Sequence, residues 1–392
     1  MRVACWHCRI LEGWQDRRVE QRWTVVGGGV AGSVIAARLA EAGAAVTLIE
    51  LGVDGATPDD MHEAAQIPGR TIDGLRVRRV EGGPYVSYTA GSGLGGGSAI
   101  NAGLASSTGP FFLQHRLPVE GEGINQRVRR NGSRASVAEV YLNALRSKVE
   151  IRSSTTVERV VMGDAQACGV ELNSGEIVEA DRIVVCAGAL MSPLLLMKSG
   201  FAVEGLGRRL QDHPSVALRY RNDGLPSTML IARRSGGVQV IETVVGDEVW
   251  VVPALMRPTS TGLIDANDNG EIEAQFRLCQ HEVEQELLLA AVTKVAAEHA
   301  RREGIDVPRP GREGEWLMDR LASTTPVYSH ATGGCCMGEV TDRLGRVKGI
   351  ENLFVADSSV FPAIPSVNPM IPTVQLAETI SDRWRDAGLV SG

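Results

Sequence analysis

The stretch TVVGGGVAGSVIAARLAEAGAAVTLIE, residues 24–50, sets the fold. Thr24, Val25 and Val26 read as a short β-branched strand that three glycines then interrupt. Residues 31–42 are small and helix-favouring, with apolar side chains at Val34, Ile35, Leu39 and Ala42, and residues 45–49 read as a buried strand. Strand, helix and strand make a βαβ unit whose first turn carries Gly27, Gly29 and Gly32 as G-x-G-x-x-G. Gly27 permits the tight turn, Gly29 lets backbone approach a pyrophosphate, and Gly32 lets helix and strand pack closely. The phosphates then meet unpaired N–H groups and the positive end of the helix dipole. Glu50, at the end of the second strand, is placed to accept a hydrogen bond from a ribose hydroxyl. The unit predicts dinucleotide binding; by itself it does not separate NAD from FAD.

Outward from this unit the pattern alternates. Residues 149–189 read as strands ending in IVVCAGAL, followed by a glycine turn and a helix opening at Ser192 with Pro193 in its first turn. Between residues 215 and 276, SVALRYR, GVQVIETVV and EVWVVPALM suggest one antiparallel sheet, and residues 282–303 a helix. Strand and helix return at 353–355 and 370–384. The expected architecture is α/β: a Rossmann-like cofactor domain from residues 22–213 and 327–392, interrupted by an α+β substrate domain, 214–326, built on an antiparallel sheet. Residues 1–21 are an unassigned extension.

Bulk properties exclude several classes. The 392 residues are 43% hydrophobic and 22% charged, with a net charge of −7 and no basic footprint for nucleic acid. No run approaches the length of a membrane span, and the first residues lack a secretory pattern. Seven irregularly spaced cysteines do not read as a disulfide framework, so a cytoplasmic protein is expected. Cys5 and Cys8 are spaced as half of a zinc site, but nothing completes it, and no metal is expected.

The 45 glycines gather at 27–32, 91–97 and 333–338, which points to backbone held close to a ligand. The second cluster, GSGLGGGSAIN (residues 91–101), resembles the G-x-x-L-G-G-S-S-x-I-N signature of the glucose–methanol–choline (GMC) flavoenzymes, departing at Gly97. The third, HATGGCCMG (residues 330–338), is similar to the family's H-P-x-G-T-C-x-M-G, departing at Ala331 and Gly334. GIENLFVADSSVFPAIPSVNPMIPTVQLAETISD (residues 349–382) resembles the family's closing signature, and SPLLLMKSG and GLGRRLQDHP resemble further segments.

The resemblance implies FAD, wrapped by Gly95, Gly96 and Ser98, with Asn101 directed at the flavin ring. Ile100 stands where some members carry a histidine that attaches the flavin, which implies non-covalent FAD. Asp357 matches a residue that hydrogen-bonds the cofactor. His330 matches the catalytic histidine and Asn368 its partner. Imidazole is the natural base for an alcohol proton at neutral pH, and an amide can hydrogen-bond a developing alkoxide. Asn368 is also read as the N-cap of a final helix with Pro369 at its first position and Met370 following, aiming that helix at the flavin. The expected reaction is oxidation of an alcohol to an aldehyde or ketone, with oxygen or another carrier accepting the electrons. His213, in LQDHP, is read as structural. His62 and His115 carry no assignment, and the cysteine pair Cys335–Cys336 is read as inert.

The chain departs from the family in length. Between Asn101 and Glu139 it is abbreviated where the family covers flavin and substrate. An open pocket or a protein partner over that side follows, and so do two alternatives: a flavin-dependent lyase or decarboxylase on the same fold, or a non-catalytic FAD-binding subunit. With few aromatic residues, an aromatic-lined pocket is not expected.

Overall fold

The computed structural model describes residues 21–106, 117–267, 271–302, 308, 310–324 and 328–390. Cys5, Cys8 and His115 therefore lie outside the described residues.

Five strands form a wholly parallel sheet in the order Leu353–Val355, Arg182–Val185, Arg22–Val26, Ala45–Ile49, Val149–Arg152. Apart from the edge strand Val149–Arg152 (VEIR), their sequences are largely apolar because both faces are covered. On one face, Trp23 and Val25 pack with Val34 and Ile35 of helix Val30–Glu41 and with Trp384 of helix Met370–Asp386. On the other, Val26, Ile183 and Val185 pack on the antiparallel meander Val157–Met162, Ala167–Leu172, Ile177–Glu179. Trp23, Phe354 and Trp384 form an aromatic cluster with ring centroids 5.2–5.9 Å apart. Trp384 is fully buried and its indole N–H donates to the Leu344 carbonyl at 2.8 Å. Truncating such a side chain costs about 3–5 kcal/mol. Here it anchors the helix whose other end reaches the site.

The expected single sheet over residues 215–276 divides in two. Leu218–Arg221, Glu248–Leu255, Val238–Val245 and Leu230–Ser235 make a four-stranded antiparallel sheet. Gly262–Ala266 and Ile272–Gln275 leave it and join Arg208–Leu210, Arg76–Arg78 and Tyr85–Ser87 in a five-stranded sheet. The turn between the sheets is held by buried Glu284, whose carboxylate accepts from the Ser260 amide at 2.9 Å and from both Thr259 and Ser260 hydroxyls. That contact spans 24 residues, beyond the reach of local pattern.

Two helix limits also differ from expectation. The helix read as opening at Ser192 opens at Gly188 (Gly188–Lys198), with Pro193 inside it. Asp357 accepts from the Gly188 amide at 2.8 Å and Ser192 Oγ accepts from the Ala187 amide at 3.0 Å, so a residue far along the chain caps the earlier turn. The helix expected over 282–303 ends at Glu298, where His299 turns its ring onto the Val295 carbonyl. Between Asn101 and Glu139, Asn125 exchanges two hydrogen bonds with the Ala232 backbone and Arg127 donates to the Leu230 carbonyl at 2.7 Å. Asn125 and Arg127 are thereby seated on strand Leu230–Ser235 of the four-stranded sheet.

Candidate active site

A cavity of about 730 Å³ runs from the first glycine turn, past the second glycine cluster, to His330 and Asn368. At its first end Gly27 has φ +99°, and a Cβ there would lie 2.4 Å from the Cys186 carbonyl oxygen. A Cβ on Gly32 would lie 1.8 Å from the Gly27 oxygen, so helix and turn close only on glycine. Gly95 and Gly96 fold against this turn: the Gly95 amide donates to the Gly28 carbonyl at 2.8 Å, and a Cβ on Gly96 would come within 2.9 Å of Gly29 Cα. Ser98 ties the second loop by donating to Gly95 at 2.6 Å and accepting from the Val137 amide at 3.0 Å.

Helices Val30–Glu41, after Gly29, and Met370–Asp386, after Pro369, are among those that begin at the cavity without a side-chain cap. Their first-turn N–H groups are left for a ligand. The two stacked glycine loops, the uncapped helix starts and the elongated cavity fit a flavin dinucleotide. Ile100 is on the wall and offers no nucleophile.

Glu50 also lines the cavity, but its carboxylate serves backbone: it accepts from Gly28 at 2.6 Å and from Gly52 and Gly93 at 2.8 Å each. It joins the two glycine loops: Oε1 takes the Gly52 and Gly93 amides, while Oε2 holds only the Gly28 amide and keeps a lone pair for a ribose hydroxyl. Asp357 is likewise occupied, by the Gly188 and Ser359 amides at 2.8 and 2.7 Å and by Ser192 Oγ at 2.5 Å. Asn101 is on the wall; its oxygen accepts from the Gly103 amide at 2.8 Å and its NH2 lies 3.4 Å from the Met370 sulfur.

At the far end, Asn368 is no N-cap. Pro369 holds that position, and the Asn368 side chain turns away to accept from Gln239 Nε2 at 3.1 Å and Ser106 Oγ at 3.4 Å. Its NH2 then faces His330 Nε2 at 3.5 Å. His213, read as structural, meets His330 directly, Nδ1 to Nδ1 at 2.8 Å. His213 Nε2 lies 3.1 Å from the Pro365 carbonyl, which can only accept. Neutral His213 therefore carries its proton on Nε2 and presents a lone pair at Nδ1. His330 must donate from Nδ1, which leaves the His330 lone pair on Nε2, toward the cavity.

Burial holds both rings neutral, His330 well below the ordinary histidine value and His213 down to about 3. Beneath them Asp212 accepts from Tyr88 OH at 2.8 Å and from the His213 and His330 amides at 2.7 and 3.0 Å. Burial still pushes its carboxyl up to about 6.

Stability should follow these titrations. Each histidine contributes stability that is full above pH 6.5 and lost as the pH falls below it, for His213 down to about 3. Asp212 acts oppositely: its contribution is full below the ordinary value of 3.8 and lost as the pH rises through about 6. Two histidines against one aspartate predict a net loss on acidification from pH 6.5 to 4. His213→Gln, whose amide can accept from His330 and donate to Pro365, should flatten that loss in thermal melts. An unchanged slope would mean that His213 does not titrate as a buried neutral ring.

Sequence reading missed His213, Asp212, Gln239, Tyr88 and Tyr328; only the Asp–His pair in LQDHP offered a signal. His62, left unassigned, is on the cavity wall. The wall also carries Tyr88, Trp250 and Tyr328, so the pocket is more aromatic than composition suggested. Cys335 and Cys336 are buried free thiols whose pKa values burial raises, in keeping with an inert pair.

Two family profiles, both described as GMC oxidoreductase, match residues 117–215 and 258–377. An oxygen-dependent choline dehydrogenase from Vibrio vulnificus is 26% identical over 67% of this chain and 62% of its own length, so the chain spans less than two thirds of that relative. A 5-(hydroxymethyl)furfural oxidase from Methylovorus sp. is 24% identical over 92% of this chain and 98% of that protein. In fold, the chain matches pyridoxine 4-oxidase from Mesorbium loti with a TM-score of 0.80 at 22% identity, covering 93% and 99% of the two chains.

Proposed function

The chain belongs to the GMC oxidoreductase family, and we propose that this protein oxidises an alcohol to an aldehyde or ketone, with non-covalent FAD as hydride acceptor, His330 as base and Asn368 as hydrogen-bond partner. The observation that carries the reading is the unprotonated His330 Nε2 facing the Asn368 NH2 across 3.5 Å at the cavity wall. That spacing is long for a direct hydrogen bond and suits a hydroxyl that donates to Nε2 and accepts from Nδ2.

FAD, when bound, supplies the acceptor for the hydride from the carbinol carbon. His330 Nε2 takes the hydroxyl proton, while its Nδ1–H stays on His213 and keeps the ring from turning. Asn368 donates to the oxygen as negative charge grows there. The uncapped start of helix Met370–Asp386 favours negative charge at the same end of the cavity. Gly27, Gly29, Gly32, Gly95 and Gly96 form the cradle, and Ser98, Asn101, Asp357, Pro369 and Met370 stand along it. In this reading residues 22–213 and 327–392 hold the cofactor, and 214–326 hold the substrate.

The wall supplied by the four-stranded sheet consists of Leu230, Ile241, Thr243, Val245 and Trp250, none of them charged. Trp250 is already engaged by Arg219, whose guanidinium carbon is 4.0 Å from the ring centroid. A quaternary ammonium alcohol would find no carboxylate among these five residues. The Trp250 ring is already taken by Arg219, itself 4.0 Å from Glu248, which leaves Tyr88 and Tyr328 as the aromatic rings of the cavity. The expected substrate is therefore an uncharged alcohol with an apolar body. The electron acceptor that completes turnover is oxygen or another carrier, and a protein partner is the alternative cover for the abbreviated substrate side. Among the described residues no helix is long and apolar enough to cross a membrane, and a cytoplasmic location is part of the same proposal.

The test is an anaerobic absorption spectrum of FAD-reconstituted protein during addition of alcohols. Benzyl alcohol or a medium-chain primary alcohol should bleach the flavin bands at lower concentration than choline does. Failure to take up FAD would sink the proposal. Bound FAD that dithionite reduces and no alcohol does would point instead to a lyase or decarboxylase, or to a non-catalytic subunit. Bleaching by choline alone would overturn the substrate class.

A further inference from the structure

Asn368 can serve a substrate oxygen only if its NH2, and not its carbonyl, faces the cavity. Asn368 lies in the loop before helix Met370–Asp386, and its two orientations differ by a half-turn of one amide. The decision comes from the neighbouring sheet. Arg234 and Gln239 are directly opposite one another in the hairpin formed by Leu230–Ser235 and Val238–Val245. Arg234 Nη2 lies 2.6 Å from the Gln239 side chain, and a guanidinium only donates, so the Gln239 atom there is oxygen. The Gln239 NH2 must then point the other way, to Asn368 at 3.1 Å and to Tyr328 OH at 3.2 Å. The Asn368 atom receiving it is oxygen, to which Ser106 Oγ also donates at 3.4 Å. What remains for the 3.5 Å gap to His330 is the Asn368 NH2.

Two chains of fixed polarity thus converge on one gap. From Pro365 through His213, donors and acceptors alternate so as to leave a lone pair on His330 Nε2. From Arg234 through Gln239, they alternate so as to leave a donor on Asn368 Nδ2. We propose that Gln239, oriented by Arg234, is a positioning residue that fixes the Asn368 amide with its NH2 toward the substrate oxygen. Gln239 is fully buried and holds no place on the cavity wall, so it acts through Asn368 and not by touching substrate. The inference rests on the alcohol-oxidation reading and adds to it a residue of the substrate-side sheet.

The proposal separates from a merely structural role in two measurements on the FAD-reconstituted protein. The first is the rate of anaerobic flavin reduction by a substrate alcohol. Gln239→Met removes both the donor and the acceptor at similar volume and should slow reduction by about tenfold or more, the loss expected when one hydrogen bond stops orienting a reacting group. In an Asn368→Ala background the same change should alter the rate by less than about threefold, because the amide it orients is gone. Equal effects in both backgrounds would overturn the proposal.

The second measurement does not need turnover. With the Asn368 NH2 facing Nε2, protonation of His330 is opposed; with the carbonyl facing Nε2, it is favoured. The groups facing this ring are His213 on one side, Tyr328 and Asn368 on another, and Asp212 through the His330 amide, with the Arg234 guanidinium bearing on His213 and Tyr328 from behind Gln239. Gln239→Met adds no charge among them. The His330 ring signal in a carbon–proton spectrum, identified by its loss in His330→Ala, should titrate at higher pH in Gln239→Met than in the wild type. An unchanged titration in a variant that melts like the wild type would overturn the proposal. If no alcohol reduces the wild-type flavin, the reading of function fails while the titration still decides the role of Gln239.

Discussion

Replacing His330 by alanine is expected to slow alcohol-driven reduction of bound FAD by about 10²–10⁴-fold, the range that a positioned general base contributes. FAD uptake should be unchanged, because the glycine cradle lies at the other end of the cavity. The effect is large for a geometric reason. The proton must leave the hydroxyl as the hydride leaves carbon, and His330 Nε2 is the lone pair that the hydrogen-bond polarity directs into the gap beside Asn368. His213 cannot substitute, since its Nδ1 faces His330 and its Nε2 is committed to Pro365.

The variant leaves His213 Nδ1 without its donor, which costs about 1–3 kcal/mol for a buried polar atom. A thermal melt should accompany the kinetics so that slow reduction is not mistaken for unfolding. The pH profile carries a second sign. His330 titrates well below the usual histidine range because burial disfavours its charged form. Wild-type reduction rates should therefore stay level from pH 8 down through 6.5, without the half-loss near 6.5 that an exposed imidazole would give. A His330→Ala enzyme that reduces at the wild-type rate would move the base elsewhere, and a wild-type rate halving near pH 6.5 would mean that the ring is more solvated than its packing implies.

The parts of this protein that could be read from sequence are those decided locally. Val25, Leu48 and Val184 sit in strands whose apolar runs name a buried parallel sheet, and the glycine spacing after Val26 names the turn that follows it. The two candidate residues that the structure brings to one cavity wall, His330 and Asn368, came from motifs and not from periodicity. What escaped was decided across the fold. His213 touches His330 across 117 residues of chain, and Gln239 touches Asn368 across 129. In sequence Gln239 is one of three polar residues in the strand VQVIETVV, with nothing to set it apart from Glu242 and Thr243, and His213 is a histidine before a proline. Their roles arise only when a strand of the substrate-side sheet is laid against the last loop of the cofactor side. Glu50 illustrates the converse. Its motif assigns it to a ribose; the second glycine loop, 43 residues on, adds the Gly93 amide to the same carboxylate, a structural duty that the motif does not name. Asn368 followed by proline satisfies the local rule for a helix cap, and the neighbouring Gln239 and Ser106 draw the side chain elsewhere. Local rules give candidates; competition for the same polar atoms is settled by tertiary contact.

Gly29→Ala should separate cofactor binding from folding, which few glycine substitutions here can do. Gly29 has φ −67°, an extended value open to any residue, and a Cβ built on it meets only Gly96 Cα, at 3.9 Å. The apoprotein should tolerate the methyl: restricting the unfolded chain gains about 0.4–1 kcal/mol, which roughly offsets the loss from alanine being a poorer helix cap than glycine. Bound FAD should not tolerate it. The methyl would project where the pyrophosphate must approach the first turn of helix Val30–Glu41, and withdrawal of the phosphates from those N–H groups should weaken binding by about 10–100-fold, or about 1.4–2.8 kcal/mol. Gly32→Ala is the contrast. Its Cβ would lie 1.8 Å from the Gly27 carbonyl oxygen, a clash between backbone and methyl that side-chain movement cannot relieve, so the βαβ unit itself should fail to close. Calorimetric titration of FAD into apoprotein, beside melts of the same samples, reads both. A Gly29→Ala protein that binds FAD as tightly as the wild type would mean that the phosphates do not lie on this turn. Loss of the apo fold in Gly29→Ala would mean that the cradle is closed more tightly than a 3.9 Å approach allows.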